Sequence, residues 1–216
     1  MGEALCPIAV PGLSDSMAVT NTDAIETSDA SRGTILLMRA GTNSVIRATR
    51  CVLKDGTPAI VRPVRPDDAR HAEGFFNWLS DETRYLRFMY QAKELTPEIL
   101  RGALSQDGLK RVSLVVEPVT QAGGDPPAIA LGRYAPTEQP DTCEVAITVG
   151  DPWQGRGAGR ALVVRLIALA RRGGYRTMCA TALSTNAKMI GLARSLAFEI
   201  RVEAGGVTSM RRALQE

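Results

Sequence analysis

The chain has 216 residues, of which 44% are hydrophobic and 23% charged, and its formal net charge is +3. These values are typical of a soluble globular protein with one domain of ordinary size, and the small charge excess argues against a nucleic-acid-binding protein. No apolar run reaches the roughly 18 residues of a membrane span, so no membrane partner is expected.

The cysteines lie far apart, and none has the spacing of a zinc site or a redox motif: Cys6, Cys51, Cys143 and Cys179. We therefore expect no metal, reduced thiols and a cytoplasmic location. Glu3 stands where a secretory signal peptide carries basic residues, so secretion is not expected.

Residues 1–50 are rich in Ser, Thr, Asp, Asn and Gly and show no sustained periodicity. This composition predicts a mostly disordered tail, in which "TILLMRA" is a candidate strand and Met17 and Met38 are alternative starts. The folded domain is predicted to occupy residues 51–216.

The first part of this domain is predicted to be a hairpin followed by three helices. Asp55 and Gly56 stand between two alternating apolar runs, which is a strong hairpin signal. Pro66, followed by two aspartates, predicts a helix start, and "DDARHAEGFFNWLS" has apolar residues at helical spacing. Shorter helices are predicted for "DETRYLRFMY" and "PEILRGAL".

The second part contains three strand-like runs, "RVSLVVEPV", "AIALGRYAP" and "TCEVAITVG", and then a helix over residues 157–172. A strand ("YRTMCATAL"), a helix ("TNAKMIGLARSLA") and a terminal strand pair ("FEIRVEAGGVTSMRRAL") follow. This order predicts an α/β (α+β layered) fold, in which helices flank both faces of a mixed, mostly antiparallel sheet.

The stretch "DPWQGRGAGRAL" places three glycines before the longest predicted helix, although glycine disfavours helix formation. A Walker loop would need a lysine and a hydroxyl, and a dinucleotide fingerprint would need glycine where Arg160 stands. Free N–H groups at a helix N-terminus can instead hold a pyrophosphate, with Arg156 and Arg160 adding charge at the rim. The alternative is a flexible turn with solvated arginines.

Four motifs in a characteristic order carry a resemblance to a known family: "RPVRPDDA", "LSDETRYLRFMY", "CEVAITVGDPWQGRGAGRAL" and "STNAKMIGLARSLAF". From about Cys51 to Leu214 the chain resembles the GCN5-related N-acetyltransferases (GNAT), and especially catalytic domains of bacterial protein-lysine acetyltransferases, which are there fused to other domains. The resemblance implies the GNAT acyl-CoA N-acyltransferase fold and acetyl-CoA as cosubstrate. Homodimers are common in that family.

Strand alternation places Glu144, Ala146 and Thr148 on one face of the run "CEVAITV". The resemblance makes Glu144 the catalytic general base, acting through water, whereas the alternative is a glutamate that faces solvent. The resemblance also assigns cofactor binding to the main chain where this strand splays from its neighbour, to the glycine loop and to the start of the last helix: Ile147, Val149, Gln154, Gly155, Arg156, Gly157, Ala158, Gly159, Arg160 and Asn186.

The sequence departs from the family at two positions on and after the last predicted helix. Ala193 stands where many members have a tyrosine that protonates the departing thiolate, and nearby Ser195 has no assigned role. The source of that proton is therefore open. Ala197 replaces the usual glycine, and we expect this change to affect only packing.

These observations predict an N-acetyltransferase that acts on a primary amine, with a protein lysine as the first choice of acceptor. The alternatives are an acetyltransferase for a small amine or amino acid, and a non-catalytic acyl-CoA-binding sensor; longer acyl groups also remain open. The "LSDETRYLRFMY" region and the terminal strand pair are expected to form the acceptor groove, with Trp78, Tyr85 and Phe88 in the core or the groove wall. His71 is expected at the surface.

Overall fold

The computed structural model describes residues 46–119 and 127–214. Most of the predicted tail, including the candidate strand "TILLMRA" and Cys6, lies outside these ranges. The first strand, β1 (Thr49–Val52), begins just before the domain boundary predicted at residue 51.

The described strands form one mixed sheet in the order β1-β2-β3-β4-β5-β6-β8-β7, in which only β5 and β6 are parallel neighbours. The hairpin at Asp55 and Gly56, the three-strand meander and the terminal strand pair are all confirmed. After β1, the strands are β2 (Pro58–Pro63), β3 (Val112–Pro118), β4 (Ala130–Pro136), β5 (Thr142–Val149), β6 (Thr177–Leu183), β7 (Glu199–Val202) and β8 (Val207–Ala213).

The predicted helices form where the sequence places them: α1 (Ala69–Trp78), α2 (Asp81–Phe88), α3 (Pro97–Leu104), α4 (Ala158–Arg172) and α5 (Ala187–Ser195). Pro66 opens a short 3₁₀ turn directly before α1. Ser80, Thr96 and Asn186 cap α2, α3 and α5, each through a side-chain oxygen that accepts a hydrogen bond from an amide of the first turn.

Helices cover both faces of the sheet, as predicted. Helix α4 packs on β3, β4 and β5 and buries Leu162, Leu166 and Ala170 completely. Helices α1, α2 and α3 lie over the opposite face, where a cavity separates Phe76 of α1 from Leu131 of β4. The sheet is therefore the middle layer of three.

The cysteines that the structure describes carry free thiols, as expected: Cys51, Cys143 and Cys179. Burial raises the pKa of Cys143 to about 12, so this thiol stays protonated at neutral pH. It is therefore a small apolar core residue rather than a nucleophile.

Helix α5 ends in a Schellman motif, the pair of reversed hydrogen bonds that closes many helices. The amide of Phe198 donates to the carbonyl of Ala193 at 3.0 Å, and the amide of Ala197 donates to that of Arg194 at 3.1 Å. This motif needs a left-handed residue after the helix, and Ala197 occupies that position with φ 56°. The expectation that Ala197 affects only packing is wrong, because its β-carbon strains the backbone.

We predict that Ala197→Gly raises the free energy of unfolding by up to about 1 kcal/mol. Relief of left-handed strain, about 1–2 kcal/mol, outweighs the extra entropy of glycine in the unfolded chain. Urea denaturation followed by circular dichroism measures the difference.

The matched control is Ala168→Gly, since Ala168 is exposed in the interior of α4. There the same substitution should lower the free energy of unfolding by about 1 kcal/mol. Equal destabilisation by both substitutions would show that Ala197 is not strained.

Candidate active site

The parallel strands β5 and β6 pair only at their first residues. Thr142 to Glu144 lie in register with Thr177 to Cys179, whereas β5 continues to Val149 in full register with β4. Among the residues that the structure describes, the edge of β5 that faces β6 therefore has no strand partner from Val145 to Val149. This is the predicted splay, and it starts directly after Glu144.

A groove of about 710 Å³ follows this splay and continues to the N-terminus of α4. Most of the predicted cofactor-binding residues line it: Ile147, Val149, Gln154, Gly155, Gly157, Gly159, Arg160 and Asn186. Residues of β6 and α5, including Thr181, Lys188 and Leu192, form the opposite wall.

The glycine loop places main-chain amides that no side chain covers at one end of the groove. Gly157 has φ 102°, which only glycine adopts easily, and a β-carbon there would lie 3.0 Å from the amide nitrogen of Lys54. The first hydrogen bond of α4 runs from the amide of Ala161 to the carbonyl of Gly157. The amides before Ala161 therefore have no partner within the helix, and the helix dipole favours an anion beside them.

Two predicted residues of the loop lie outside the groove lining. Ala158 is fully buried against the core. Arg156 turns away, with its guanidinium over the ring of Trp153 and 3.4 Å from a carboxylate oxygen of Asp55. Arg160 lies in the lining and donates a hydrogen bond to the hydroxyl of Ser195 at 3.2 Å.

The Gln154 side chain joins three elements at the mouth of the groove. Its amide group donates to the Val149 carbonyl at 3.2 Å and to the Thr83 hydroxyl at 3.0 Å, and its oxygen accepts from Lys188 at 2.7 Å. Gln154 therefore links the end of β5 to α2 and α5. Asn186 caps α5 through its side-chain oxygen and also lines the groove. Its side-chain NH₂ group therefore remains available to a ligand.

Asp151, to which no sequence motif assigned a role, connects the glycine loop to helix α2 by hydrogen bonds. Its carboxylate accepts hydrogen bonds from the amide and hydroxyl of Ser80 at 2.9 and 2.7 Å and from the Thr83 hydroxyl at 2.7 Å. Burial opposes ionisation of Asp151, but these hydrogen bonds outweigh it and lower its pKa. The loop and the start of α2 therefore form one hydrogen-bonded unit.

Glu144 is half-buried at the point where β5 leaves β6, beside the groove rather than in its lining. Burial raises the pKa of its carboxyl, while the charges of Arg87 and Arg133 act in the opposite direction. Neither arginine was singled out from the sequence. Arg87 lies at the end of α2. Arg133 belongs to β4, the strand next to β5, and lies on the same face of the sheet as Glu144.

A second cavity, of about 680 Å³, lies between α1, α2, α3 and the sheet. It shares Arg87 and Thr148 with the groove, so the two spaces meet there. Exposed Trp78 and half-buried Phe88 belong to its wall, whereas exposed Tyr85 does not. His71 is exposed at the outer rim.

Helix α5 offers no proton donor at the position of the missing tyrosine, because the side chain of Ala193 is a buried methyl group. The nearby Ser195 hydroxyl donates to the Leu192 carbonyl at 2.7 Å. Within residues 46–119 and 127–214, no group of three His, Cys, Asp or Glu residues could hold a metal ion.

A family model described as the acetyltransferase (GNAT) domain matches residues 59–199. The chain is 32% identical over 146 residues to acetyltransferase PA5475 of Pseudomonas aeruginosa, an alignment that covers 68% of this chain and 77% of the relative.

Solved structures show the same architecture. The GNAT domain of S. lividans PAT superposes with a TM-score of 0.68 at 32% identity, over 77% of this chain and 96% of that one. yncA from Salmonella typhimurium, solved with its cofactor acetyl-CoA, superposes with a TM-score of 0.57 over 73% of this chain and 95% of that one. Its identity is 23%, so this second likeness concerns the fold.

The chain therefore belongs to the GNAT acetyltransferase family. It is an acyltransferase of the class that uses acetyl-CoA, and the groove with its free strand edge and bare amides fits that cosubstrate. In the part of the chain that the structure describes, no helix combines the length and the apolar character needed to cross a bilayer.

We predict that Gly157→Ala weakens binding of acetyl-CoA roughly tenfold. A β-carbon at this left-handed position would lie 3.0 Å from the Lys54 amide nitrogen, so the loop must shift and its amides leave the positions that they offer to a pyrophosphate. A tenfold change in Kd corresponds to a loss of about 1.4 kcal/mol of binding free energy. Isothermal titration calorimetry with acetyl-CoA measures the change.

Gly74→Ala is the matched control, because a β-carbon at this exposed position in α1 meets nothing within 4 Å. It should leave the Kd for acetyl-CoA unchanged. If Gly157→Ala also leaves it unchanged, the loop is not the pyrophosphate site.

Proposed function

We propose that this protein transfers the acetyl group of acetyl-CoA to a primary amine, with Glu144 as the general base. The observation that carries the proposal is the position of Glu144 at the last paired residue before the splay, where its carboxylate interacts with Arg87, a residue that lines both the groove and the cavity. In the proposed arrangement the thioester end of the cofactor lies in the groove and the amine lies in the cavity.

The free amine is the nucleophile, so the base has a definite task. A lysine-type amine has a pKa of about 10.4, and removing its proton at neutral pH costs roughly 4 to 5 kcal/mol. Since Glu144 lies outside both cavity linings, the proton passes to its carboxylate through water. Burial raises the pKa of this carboxylate and makes it a stronger base.

In the proposed step, the amine nitrogen forms a bond to the thioester carbonyl carbon, and the bond from that carbon to sulfur breaks. The thiolate leaves with the electron pair and takes a proton from water, since buried Ala193 supplies none. No covalent enzyme intermediate is needed, and the chain contributes orientation and charge stabilisation.

The site assignments carry over to the residues that line the groove. The edge of β5 at Ile147 and Val149 holds the pantetheine arm, and Arg160 and Asn186 contact the cofactor from the side. The pyrophosphate is held by Gln154, Gly155, Gly157 and Gly159. The positions of Arg156 and Ala158 outside the lining favour a structural role for both.

Two acceptor classes remain candidates. A protein lysine is favoured by the resemblance to protein acetyltransferases and by the similarity to the S. lividans PAT domain. A small amine or amino acid is favoured by the volume of the cavity beyond Glu144. A cytoplasmic location and a homodimer are proposed from the cysteine pattern and the family resemblance, respectively.

A non-catalytic acyl-CoA sensor shares the groove but has no need of Glu144. We predict that Glu144→Gln lowers kcat for amine acetylation by about 10²–10⁴-fold, the usual contribution of a general base, and leaves the Kd for acetyl-CoA unchanged. Coupled release of free thiol measures turnover, and calorimetry measures binding.

Glu138→Gln is the control, because Glu138 is exposed in the turn between β4 and β5. It should leave both quantities unaltered. Unchanged turnover in Glu144→Gln would remove the base assignment, and the absence of turnover with any amine in the wild type would favour the sensor.

The pH dependence provides a separate test of the base. Because burial raises the pKa of Glu144, kcat/KM should fall with decreasing pH through a value above the ordinary one of about 4.3. Arg133→Gln removes a neighbouring cation and should move this acid limb to higher pH. The measurement requires an acceptor that does not itself titrate between about pH 4 and 8. If the acid limb of kcat/KM does not move in Arg133→Gln, a group other than Glu144 causes it.

A further inference from the structure

The second cavity has the size and lining of a small-molecule site. Its volume of about 680 Å³ lies within the range of roughly 300–1,000 Å³ that is usual for ligand pockets. Apolar side chains from the three helices and the sheet form most of its wall, among them Phe75, Phe76, Leu79, Ile99, Leu104 and Leu131. Such a wall would suit a ligand with a large apolar group.

Cations lie at both ends of this cavity, and their surroundings differ. At one end Arg62 is held by Asp68, with two contacts of 2.8 Å, and by Glu117. At the other end, where the cavity meets the cofactor groove, Arg87 and Arg133 are half-buried. No hydrogen bond or ion pair joins either guanidinium to another residue in the described ranges.

Two guanidinium groups without an ion pair are electrostatically unfavourable at this place, and the only aromatic contact of either in the described ranges is that of Arg87 over the ring of Phe88, at 5.1 Å from its centre. Burial lowers the pKa of Arg87 to about 10, and the charge of Arg133 adds to the effect. Burial also lowers the pKa of Arg133. Glu144 interacts favourably with both but forms no ion pair with either. Both arginines therefore keep their charge at neutral pH, and a bound anion would stabilise them.

A carboxylate is the anion that suits them, because the planar guanidinium presents two parallel N–H groups to its two oxygens. A carboxylate bound at Arg87 and Arg133 lies at the junction with the cofactor groove. In an α-amino acid the amine and the carboxylate share one carbon atom, so the amine would also lie at this junction, next to Glu144.

We infer that the acceptor is an apolar α-amino acid, with its carboxylate on Arg87 and Arg133 and its side chain in the cavity beneath α1, α2 and α3. This inference rests on the proposed function and selects between its two acceptor classes. A protein lysine carries its amine four methylene groups from the main chain and has no carboxylate beside it. A longer acyl chain likewise leaves both guanidinium groups unpaired.

The first test compares L-phenylalanine with phenethylamine, which has the same ring and amine but no carboxylate. The expected kcat/KM is higher for L-phenylalanine by about 100-fold, because the missing carboxylate leaves two buried cations unpaired. L-Phenylalanine should also exceed glycine, whose side chain leaves the apolar wall uncovered. Equal values for L-phenylalanine and phenethylamine, or a higher kcat/KM for a lysine-containing peptide, would overturn the inference.

The second test uses Arg133→Gln, because Arg133 lines the cavity but not the groove. This variant should reduce the ratio of kcat/KM for L-phenylalanine over phenethylamine at least about tenfold, with the Kd for acetyl-CoA unchanged. Arg133→Lys should restore part of the ratio, since it keeps the charge but loses the planar fork. Arg101→Gln, at an exposed position of α3 outside both linings, is the control. An unchanged ratio in Arg133→Gln would contradict the assignment.

Binding separates this inference from the proposed function. Calorimetry with L-phenylalanine and the non-reactive product CoA reports on the cavity without turnover. Binding of L-phenylalanine but not of phenethylamine, in a protein that acetylates no amine, would contradict the proposed function and support the site. Turnover of phenethylamine without any preference for L-phenylalanine would keep the function and reject the site.

Discussion

The incomplete pairing of β5 and β6 is the constraint on which the rest of the site depends. Three register pairs hold the two strands together, and the strands then diverge. Within the described residues, the main-chain groups of Ile147 on this edge have no strand partner, and the Val149 carbonyl accepts a hydrogen bond from Gln154 instead of from a strand. Main-chain groups that a continuous sheet would pair need a partner from elsewhere. The same divergence opens the groove toward α4 and leaves Glu144 at the last paired position.

A second feature of the site is that the glycine loop is joined to helix α2 by hydrogen bonds. Asp151 and Gln154 come from the segment between β5 and α4, yet both bind Thr83 of α2. Helix α2 ends with Arg87, which lines both spaces. The glycine loop is therefore hydrogen-bonded to the helix that carries one wall of the second cavity.

The electrostatics of the junction also follow from this arrangement. Burial makes Glu144 a stronger base, but it would favour the protonated, inactive carboxyl if no cation were near. Arg87 and Arg133 limit that effect because they favour the charged form. In the proposed mechanism the same two residues also provide the charge complement for an anionic acceptor, so one pair of arginines would tune the base and select the acceptor.

Local sequence signals determined the strand and helix order, the glycine loop and the position of Glu144. Hydrophobic periodicity, capping residues and glycine chemistry act over a few neighbouring residues, which the sequence shows directly. Tertiary structure alone decided that Arg87 and Arg133 line one cavity, that Asp151 binds α2, and that Arg156 turns toward Asp55. It also decided that Ala197 takes a left-handed conformation. These features join elements that are distant in sequence, or depend on how the chain continues into a neighbouring strand, so no local pattern encodes them.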